Sequence, residues 1–343
     1  MPINYYDSAE VVKTVNSVNN KVSNYLLDLF ARKVFRSKTK MIDIGQVKTT
    51  RRLAPIVAPS VAGVVHDKDA KETKIIKPAY VKDKRVFEPG EGLETLAGES
   101  RGGNLSPTQR RDAEIVSETF SMIEGAKRRM AFMLCEALRT GKVTVKGKGM
   151  DHVVDFGRNP NNTFDLTGTN RWGQSGVSPL DDIEDWIAEV QKNTGYVVND
   201  VIFGPEAWKL ARKNAEFKEL LDTDGLNNGD SVNAYGQVSN GSLRGRIGQI
   251  NLHTFQDIYE EKDGTKKGFI GDYDVIIAGV GTDIWRCYGA IQDKKAGLKP
   301  LDYFVKMWEN EDPSVEYLML QSAPLPVLGN PDASMCVTVH DGA

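Results

Sequence analysis

The sequence is poor in the residues and runs that mark redox, secreted or membrane proteins. Its 343 residues include three cysteines, Cys135, Cys287 and Cys336, which follow no disulfide or metal-ligand spacing. No apolar run approaches the roughly 18 residues of a membrane span, and the first residues show no basic stretch followed by an apolar one. These absences predict a cytosolic chain with reduced thiols, no secretory signal and no membrane partner.

Motifs that bind phosphate or carry catalysis are also missing. No glycine-rich loop ends in Gly-Lys-Ser or Gly-Lys-Thr, and the glycine-rich stretch at 146–149 joins two short strand patterns, which favours a turn. The histidines are isolated in the sequence, without the pairs or the nearby cysteines and carboxylates of metal sites and catalytic triads. They are His66, His152, His253 and His340.

Two further candidate sites have simpler explanations. Asp181 and Asp182 carry the carboxylates that divalent cations prefer, but they fall in the predicted first turn of a helix, where the helix dipole favours acidic side chains. Asp283 and Trp285 follow a predicted strand, and a role in a turn or in the core is favoured over a role in a pocket. We therefore predict no catalytic residue, no metal site and no cofactor.

Charge is nearly balanced overall but unevenly distributed. With 40% hydrophobic and 27% charged residues, the composition is that of a globular protein, and the net charge of -3 argues against a dedicated nucleic-acid binder. Residues 1–89 carry 17 Lys and Arg against 9 Asp and Glu, whereas the rest of the chain carries 27 against 38. A basic arm on an acidic body predicts electrostatic contact between the two, within one subunit or between subunits.

Residues 8–36 carry an apolar stripe at helical spacing. The stripe consists of Val11, Val15, Val18, Val22, Tyr25 and Leu29. Valine lowers helix propensity, so this helix needs a partner surface, which is either the subunit's own core or a neighbouring subunit. We predict that residues 1–36 form a separable arm that serves assembly, with the four valines as subunit contacts.

The chain between 56 and 87 has the pattern of a long charged hairpin. Two β-rich runs, 56–65 and 74–87, flank a polar tip from His66 to Glu72. A lone two-stranded hairpin is marginal in water, so this one must lie on another surface.

Residues 75–92 would make a poor central strand. Proline cannot donate a hydrogen bond to a ladder, and charged side chains resist burial. The basic side chains Lys82, Lys84 and Arg85 are therefore predicted subunit contacts, which meet the acidic remainder of a neighbour.

The rest of the chain predicts one long helix followed by a mixed α/β region. Ser106, Pro107 and Gln109 form an N-terminal capping pattern, and Gly141 ends the helix. Its predicted buried face consists of Val116, Phe120, Ile123, Met130, Leu134 and Leu138. The later segments predict a hairpin at 142–157, a helix at 178–195, a strand at 196–204, a helix at 205–214, a long surface loop at 223–246 and further strands.

Five segments, spread over nearly the whole chain, occur in a distinctive order. They are "APIVAPSVAGVV" at 54–65, "PAYVK" at 78–82, "DDIEDW" at 181–186, "GAIQD" at 289–293 and "QSAPL" at 321–325. In their order and spacing the chain resembles the major capsid proteins of tailed phages, in the family of the phage lambda major head protein. The resemblance implies an α+β fold, first described for the Hong Kong phage capsid. Its implied parts are an N-terminal arm (1–53), an extended β-hairpin loop (54–101), a peripheral domain with a long spine helix (102–178 and 283–322) and an α/β axial domain (179–282 and 323–343).

The same resemblance implies a structural shell subunit and no enzyme. Copies would self-assemble into pentamers and hexamers of an icosahedral head that encloses double-stranded DNA, in a virion assembled in the host cytoplasm. Residues 75–92 would be one limb of the extended loop and would lie over the peripheral domain of a neighbour. Scaffold, portal and decoration proteins are the implied partners, and the packaged DNA would lie near the wall without specific contacts. An encapsulin-like compartment of the same fold is the alternative, and a soluble α/β hydrolase or ligand-binding protein is a more distant one.

Overall fold

The computed structural model describes residues 24–48, 70–88, 105–222 and 241–342, except positions 262, 280 and 313, together with positions 54, 56, 58–60, 62 and 90. The α-helices are α1 (Tyr25–Phe30), α2 (Pro107–Thr140), α3 (Pro179–Thr194), α4 (Pro205–Ala211) and α5 (Ala215–Leu220). The strands up to the second half of the chain are β1 (Lys33–Arg36), β2 (Ile42–Lys48), β3 (Ala70–Ile76), β4 (Val81–Phe87), β5 (Lys142–Gly147), β6 (Met150–Asp155), β7 (Thr163–Asp165), β8 (Asp200–Phe203) and β9 (Gly241–Ile247). The later strands are β10 (Ile250–Phe255), β11 (Ile258–Glu260), β12 (Lys266–Gly268), β13 (Asp274–Ala278), β14 (Ile284–Tyr288), β15 (Phe304–Asn310), β16 (Val315–Ser322), β17 (Pro324–Leu328) and β18 (Met335–Thr338).

The long helix α2 is the spine of the subunit, and both of its ends confirm the prediction. The Ser106 side chain accepts a hydrogen bond from the backbone N–H of Gln109, and the Gln109 side chain accepts one from the backbone N–H of Ser106. Gly141 follows the last turn in the left-handed conformation, with a φ of 70°. At about 1.5 Å per residue, the 34 residues make a rod of roughly 50 Å.

The buried face of α2 differs in part from the prediction. Four of the predicted positions are buried, namely Ile123, Met130, Leu134 and Leu138. Val116 is only partly buried and Phe120 is 38% exposed, so the prediction is wrong for Phe120. The buried stripe runs through Ile115 and Met122 instead. At about 100° per residue, Phe120 lies roughly 140° around the helix from Ile115, which places its ring on the side away from the core.

The predicted helix at 8–36 is wrong at its C-terminal end, and its first part, 8–23, lies outside the described residues. Within 24–36 the helix covers only α1, and the chain then enters β1, which pairs in parallel with β14. Arg286 of β14 binds the end of α1, donating to the carbonyls of Ala31 (2.5 Å) and Leu27 (3.1 Å). The Ala31 carbonyl is one that the helix end leaves free, whereas the Leu27 carbonyl also accepts the backbone N–H of Ala31, so Arg286 holds the end of α1 beside β14.

The apolar side chains of α1 belong to the core of the subunit. Five of its six side chains are buried, and they join the largest core cluster together with side chains from α2, β14 and β17. The buried side chains are Tyr25, Leu26, Leu27, Leu29 and Phe30. The prediction of a separable arm over 1–36 is therefore wrong for residues 24–36, because this segment packs against its own subunit.

Charged side chains surround the contact between α1, β1 and the spine helix. Arg286 pairs with Asp28 at 2.9 Å, and Arg36 makes two hydrogen bonds to Asp302, of 2.6 and 2.8 Å. Lys127 of α2 is buried among these charges, and burial lowers its pKa from 10.5 to about 8, although Asp28 favours its charged form. Between these two values the unfolded chain binds more protons than the folded one, so the stability of the fold rises with pH.

Replacing Lys127 by methionine should stabilise the subunit. We expect Lys127→Met to raise the free energy of unfolding by about 1–3 kcal/mol at pH 7, because methionine leaves no charge to be desolvated at this site. The variant should also lack the gain in stability that the wild-type protein shows between pH 8 and pH 10.5. Urea unfolding at pH 7 and near the top of that range measures both effects. The exposed neighbour provides the control, since Arg128→Met should change stability by no more than about 0.5 kcal/mol. A Lys127→Met variant that is less stable than wild type at pH 7 would contradict the assignment.

Two small sheets lie along the spine helix. The sheet β1–β14–β17 packs with α1 against the C-terminal half of α2, and the sheet β15–β16–β4 packs against its N-terminal half. The hairpin β5–β6 follows the end of α2, as predicted. In the sheet β15–β16–β4, Val305, Met307 and Leu318 face the spine helix, whereas Trp308, Tyr317 and Met319 on the other side are only half-buried.

A larger six-stranded sheet forms the α/β part, with the strand order β7–β18–β13–β8–β10–β9. The second hydrophobic core of the molecule lies against this sheet. It contains Trp172, Phe203 and Phe217 and includes buried side chains of α3, α4 and α5. The predicted order of helix, strand and helix is confirmed by α3, β8 and α4. The predicted loop at 223–246 is wrong for residues 241–246, which belong to β9, while 223–240 lie outside the described residues.

The charged hairpin is present, but its strands are not the predicted ones. Strands β2 and β3 pair in antiparallel fashion from Ile42 opposite Ile76 to Lys48 opposite Ala70. The predicted first limb at 56–65 lies mostly outside the described residues, and the predicted second limb is two separate strands, β3 and β4. Pro78 lies in the irregular link between them, because proline cannot continue a ladder as a donor.

Candidate subunit-contact surface

Strand β4 carries the predicted contact residues Lys82, Lys84 and Arg85, and it lies on its own subunit. All seven of its residues pair with β16, from Val81 opposite Ser322 to Phe87 opposite Glu316. The prediction that this stretch leaves its subunit is therefore wrong for β4. Among the described strands it is an edge strand, so its charges face outwards while Phe87, only 5% exposed, anchors it.

Strand alternation separates the three predicted contact residues. Lys82 and Lys84 are exposed on the outer side of the sheet. Arg85 lies on the other side, where its Nε donates to Glu118 of α2 at 2.9 Å and its guanidinium pairs with Asp83 at 3.3 Å. Arg85 thus joins the edge strand to the spine helix of its own subunit, and the two lysines remain the candidate contacts.

The outer side of this sheet presents an aromatic face. Its members are Lys84, Val86, Lys306, Trp308, Tyr317 and Met319. The rings of Trp308 and Tyr317 stack with centroids 5.3 Å apart. The Lys84 ammonium lies 4.2 Å from the centre of the Tyr317 ring, and the Lys306 ammonium lies 5.4 Å from that of Trp308. Sequence reasoning missed these two aromatic residues, although the alternation in "FVKMWEN" and "VEYLMLQS" was a usable signal.

Three of the segments that carry the family resemblance meet at the start of β4. The hydroxyl of Tyr80 donates to the side-chain oxygen of the fully buried Gln321 (2.8 Å) and accepts from the backbone N–H of Gln292 (3.0 Å). The Gln321 amide group donates to Asp293 at 2.7 Å, and Lys306 also donates to Asp293, at 2.5 Å. Burial raises the pKa of Asp293, but these two hydrogen bonds outweigh that effect and hold it at about 2.

Beside this network lies a basic pocket of about 440 Å³. It is lined by Lys40, Met41, Lys77, Pro78, Tyr80, Lys82, Met150, Ala290, Gln292 and Ala323. The pocket lies where the base of the β2–β3 hairpin approaches the first residues of β4, and no carboxylate is among its lining residues.

The fold brings His253 to a carboxylate, contrary to the expectation that the histidines are isolated. Its Nε2 lies 3.1 Å from Asp200 Oδ1, and its Nδ1 lies 2.6 Å from the hydroxyl of Tyr25. All three side chains are buried, so the group links α1 to β8 and β10 inside the core. A substrate would have no access to these atoms, and the arrangement stabilises the packing of α1 against the six-stranded sheet.

The other candidate chemical groups have structural partners. Asp181 and Asp182 lie in the first turn of α3, as predicted, and Asp182 accepts a hydrogen bond from the Trp172 indole at 2.8 Å. Asp283 pairs with Lys33 at 2.5 Å and adopts a positive φ of 56° in a turn. In the part of the chain that the structure describes, no three His, Cys, Asp or Glu side chains are grouped to hold a metal ion.

The three thiols are buried and protonated at neutral pH. Burial raises the pKa of Cys287 and of Cys336 to about 12, and it raises the pKa of Cys135 further still. Among the described residues no helix is both long and apolar enough to cross a membrane. The predicted contact residues Val11, Val15, Val18 and Val22 lie outside the described residues, so their role stays a prediction.

Comparisons with known sequences all find similarity to phage major capsid proteins. The model of the family described as phage major capsid protein E matches residues 7–339. The major capsid protein of Escherichia phage lambda is 30% identical over 342 residues, which cover 97% of this chain and 98% of the lambda protein. The major capsid protein of Enterobacteria phage P21 is 30% identical over 322 residues, which cover 91% of this chain and 93% of that protein.

Comparisons with solved structures show the fold. A prophage capsid protein from Escherichia coli CFT073 superimposes with a TM-score of 0.76 at 24% identity, covering 97% of this chain and 99% of that one. An encapsulin from Synechococcus elongatus gives a TM-score of 0.52 at 11% identity, covering 94% and 89%. The α+β arrangement of spine helix, small sheets and larger sheet is thus shared with phage capsid and encapsulin shells.

Proposed function

The chain belongs to the phage major capsid protein E family, and we infer that it is the subunit from which the icosahedral shell of a phage head is built. The observation that carries this conclusion is a match to capsid proteins along nearly the whole chain, with about 30% identity to those of phages lambda and P21. The function is structural, and the place of the protein is the virion. Copies of the chain associate into pentamers and hexamers, which close around double-stranded DNA.

The β2–β3 hairpin is the element that reaches a neighbouring subunit. Its base stays on its own body, since Ile42 is fully buried and the Lys74 ammonium donates to the Phe156 carbonyl at 3.3 Å. Ile75, next to that base, is 68% exposed. A two-stranded hairpin gains little stability alone, so contact with a second copy would complete its burial.

The surface that receives the hairpin is the aromatic face of the neighbour. Aromatic and methionine side chains are enriched in the buried centres of interfaces, where they contribute most of the binding energy. Val86 is 47% exposed at the rim of this face, and Lys84 is exposed beside the Tyr317 ring. Each contact is modest, but a closed shell repeats it at every symmetry-related interface.

Removing the two stacked rings should prevent assembly without unfolding the subunit. We expect Trp308→Ala/Tyr317→Ala to cut the yield of shells at least tenfold. The loss in the free energy of unfolding should be about 1–3 kcal/mol, because both rings are half-buried and lose packing as well as their stacking contact. Circular dichroism melting beside sedimentation of the same sample measures both quantities. Arg85→Ala is the matched control, because Arg85 faces the spine helix, and its loss should leave shell formation intact and cost at most about 1 kcal/mol. Normal shells from the double variant would show that the aromatic face is not part of the subunit interface.

Electron microscopy of the purified protein tests the function as a whole. Closed icosahedral shells are expected, and only monomers or open aggregates under all conditions would contradict it. Nuclease-protected double-stranded DNA in particles made during infection would support the phage head. Enclosed protein cargo would support the encapsulin-like alternative, which rests on fold similarity at 11% identity.

The further partners are part of the same proposal. A scaffold protein would guide the curvature of the shell during assembly in the host cytoplasm, a portal would occupy one vertex, and a decoration protein would bind the outer surface. The basis for these partners is family membership alone, so co-purification with each of them is the direct test.

A further inference from the structure

The basic pocket is lined by three lysines whose charges no described carboxylate neutralises. The exposed residues Lys40, Lys77 and Lys82 line its wall, and none has an ion-pair partner among the described residues. The Lys82 ammonium lies 5.5 Å from the centre of the Tyr80 ring. The carboxylate nearest to this network, Asp293, is already bound by Lys306 and Gln321. Like charges gathered in a concave surface repel one another and raise the local concentration of anionic groups. The pocket is therefore built to receive an anion.

The same sheet carries unpaired negative charge at its far end. The turn between β15 and β16 presents Glu309, Glu311 and Asp312, all exposed and without an ion-pair partner in the described part of the chain. We name residues 309–312 the acidic turn. Glu316, on β16 at this end, is bound by Arg111.

The pocket and the acidic turn cannot meet within one subunit. Lys82 lies opposite Gln321, whereas Phe87, at the other end of β4, lies opposite Glu316, which is paired with Glu309 on β15. Five residues of strand at about 3.4 Å each separate the two ends by roughly 17 Å, and the acidic turn projects beyond that. The hydrogen-bonded ladder of the sheet keeps the two ends apart, so within one subunit they do not neutralise each other.

We propose that the basic pocket of one subunit binds the acidic turn of a second copy of this chain. This proposal rests on the self-assembly inferred above and identifies one of its contacts. A projecting turn fits a concave site, and about 440 Å³ lies within the range of pockets that bind ligands of substantial size. The contact is heterologous, since pocket and turn are different surfaces of the same chain. Repetition of such a contact generates a closed ring when the rotation between copies closes.

Charge reversal at one end should prevent assembly, and reversal at both ends should restore it. The pocket variant is Lys40→Glu/Lys77→Glu/Lys82→Glu, and the turn variant is Glu309→Lys/Glu311→Lys/Asp312→Lys. We expect each to lower the yield of shells at least tenfold at low salt. A chain that carries all six substitutions restores opposite charges across the contact, so it should regain at least half of the wild-type yield.

Controls separate this contact from general effects of charge and folding. Lys192→Glu/Lys213→Glu/Lys218→Glu makes the same change in net charge on exposed lysines of the α/β part and should assemble normally. Circular dichroism melting confirms that each variant is folded. Should a reversed pocket unfold, the uncharged set Lys40→Gln/Lys77→Gln/Lys82→Gln replaces it and should still lower the yield severalfold.

The possible results distinguish an error in the proposed contact from an error in the proposed function. Wild-type shells, failure of both single-end variants and rescue by the six-fold variant would support the proposal. A pocket variant that assembles like wild type would overturn it, and so would a folded six-fold variant that stays unassembled. If the pocket variant assembles but loses packaged DNA, the anion is a nucleic acid and the proposed partner is wrong. Absence of shells from the wild-type protein itself would instead contradict the proposed function.

Discussion

Removing residues 1–36 should unfold the subunit, whereas removing residues 1–23 should leave its fold intact. The longer deletion takes away α1 and β1, and with them five buried apolar side chains of the main core. Full burial of one such side chain stabilises a protein by about 1.5–3 kcal/mol, so the sum approaches or exceeds the net stability of a typical domain. It also leaves β14 without its parallel partner and Arg286 without the carbonyls that it binds.

The shorter deletion keeps every one of these contacts and therefore serves as the matched control. We expect it to melt like the full chain but to assemble poorly, because the stripe of Val11, Val15, Val18 and Val22 is predicted to contact neighbouring subunits. Circular dichroism and sedimentation of both truncations provide the measurement. A folded 1–36 truncation with a cooperative melt would show that α1 is dispensable. Normal shells from the 1–23 truncation would show that the valines serve no contact.

Arg158→Ala should be the most destabilising single substitution near the spine helix. The Arg158 guanidinium is buried and donates to the carbonyls of Leu138 (2.6 Å) and Arg139 at the end of α2. It also donates to the hydroxyl of Thr163 (2.5 Å), on the edge strand β7 of the six-stranded sheet, and to that of Ser334 (3.3 Å), just before β18. One side chain thus satisfies the free carbonyls at the negative end of the helix and joins that end to the second core.

Alanine would leave a cavity and would remove this donor from two buried acceptors, the Leu138 carbonyl and the Ser334 hydroxyl, so we expect a loss of about 3–5 kcal/mol in the free energy of unfolding. Burial lowers the pKa of Arg158 to about 10, so the group is still charged at pH 7 and its loss should cost the same across the neutral range. Arg158→Lys, which keeps a charge but fewer donors, should lose roughly half as much. Urea unfolding measures the series, with the exposed Arg128→Ala as control. A loss below about 1 kcal/mol would mean that water replaces the guanidinium.

The same region shows why one glycine is required. Gly141 adopts a φ of 70°, and a Cβ atom there would lie 2.6 Å from the Cβ of Arg158. The helix must therefore end at a residue without a side chain, so that the arginine can pass over the last turn. This glycine was predicted as the end of the helix from its position alone, whereas its contact with Arg158 depends on residues 17 positions apart in the sequence.

Local signals in the sequence were sufficient for the elements whose geometry depends on near neighbours. The capping residues Ser106 and Gln109, and the glycine at 141, defined α2 to within a residue, because each acts within one helical turn. The hairpin β5–β6 and the order of α3, β8 and α4 followed from periodicity in the same way. The order of the family segments indicated the fold class and the shell function, because these depend on the whole pattern rather than on any one contact.

Only the tertiary structure decided which surface each segment meets. The pattern of α1 continues that of the preceding valines, and nothing local distinguishes a stripe that packs on its own core from one that packs on a neighbour. The charges of β4 predict that it does not belong to a sheet. As an edge strand, however, it is paired on one side with β16 and is anchored by the buried ring of Phe87. Strand register places Lys84 and Arg85 on opposite sides of the sheet. It also brings together Tyr80, Asp293 and Gln321 from three distant segments. Register is fixed by pairing between residues far apart in the chain, so periodicity within one segment cannot specify it.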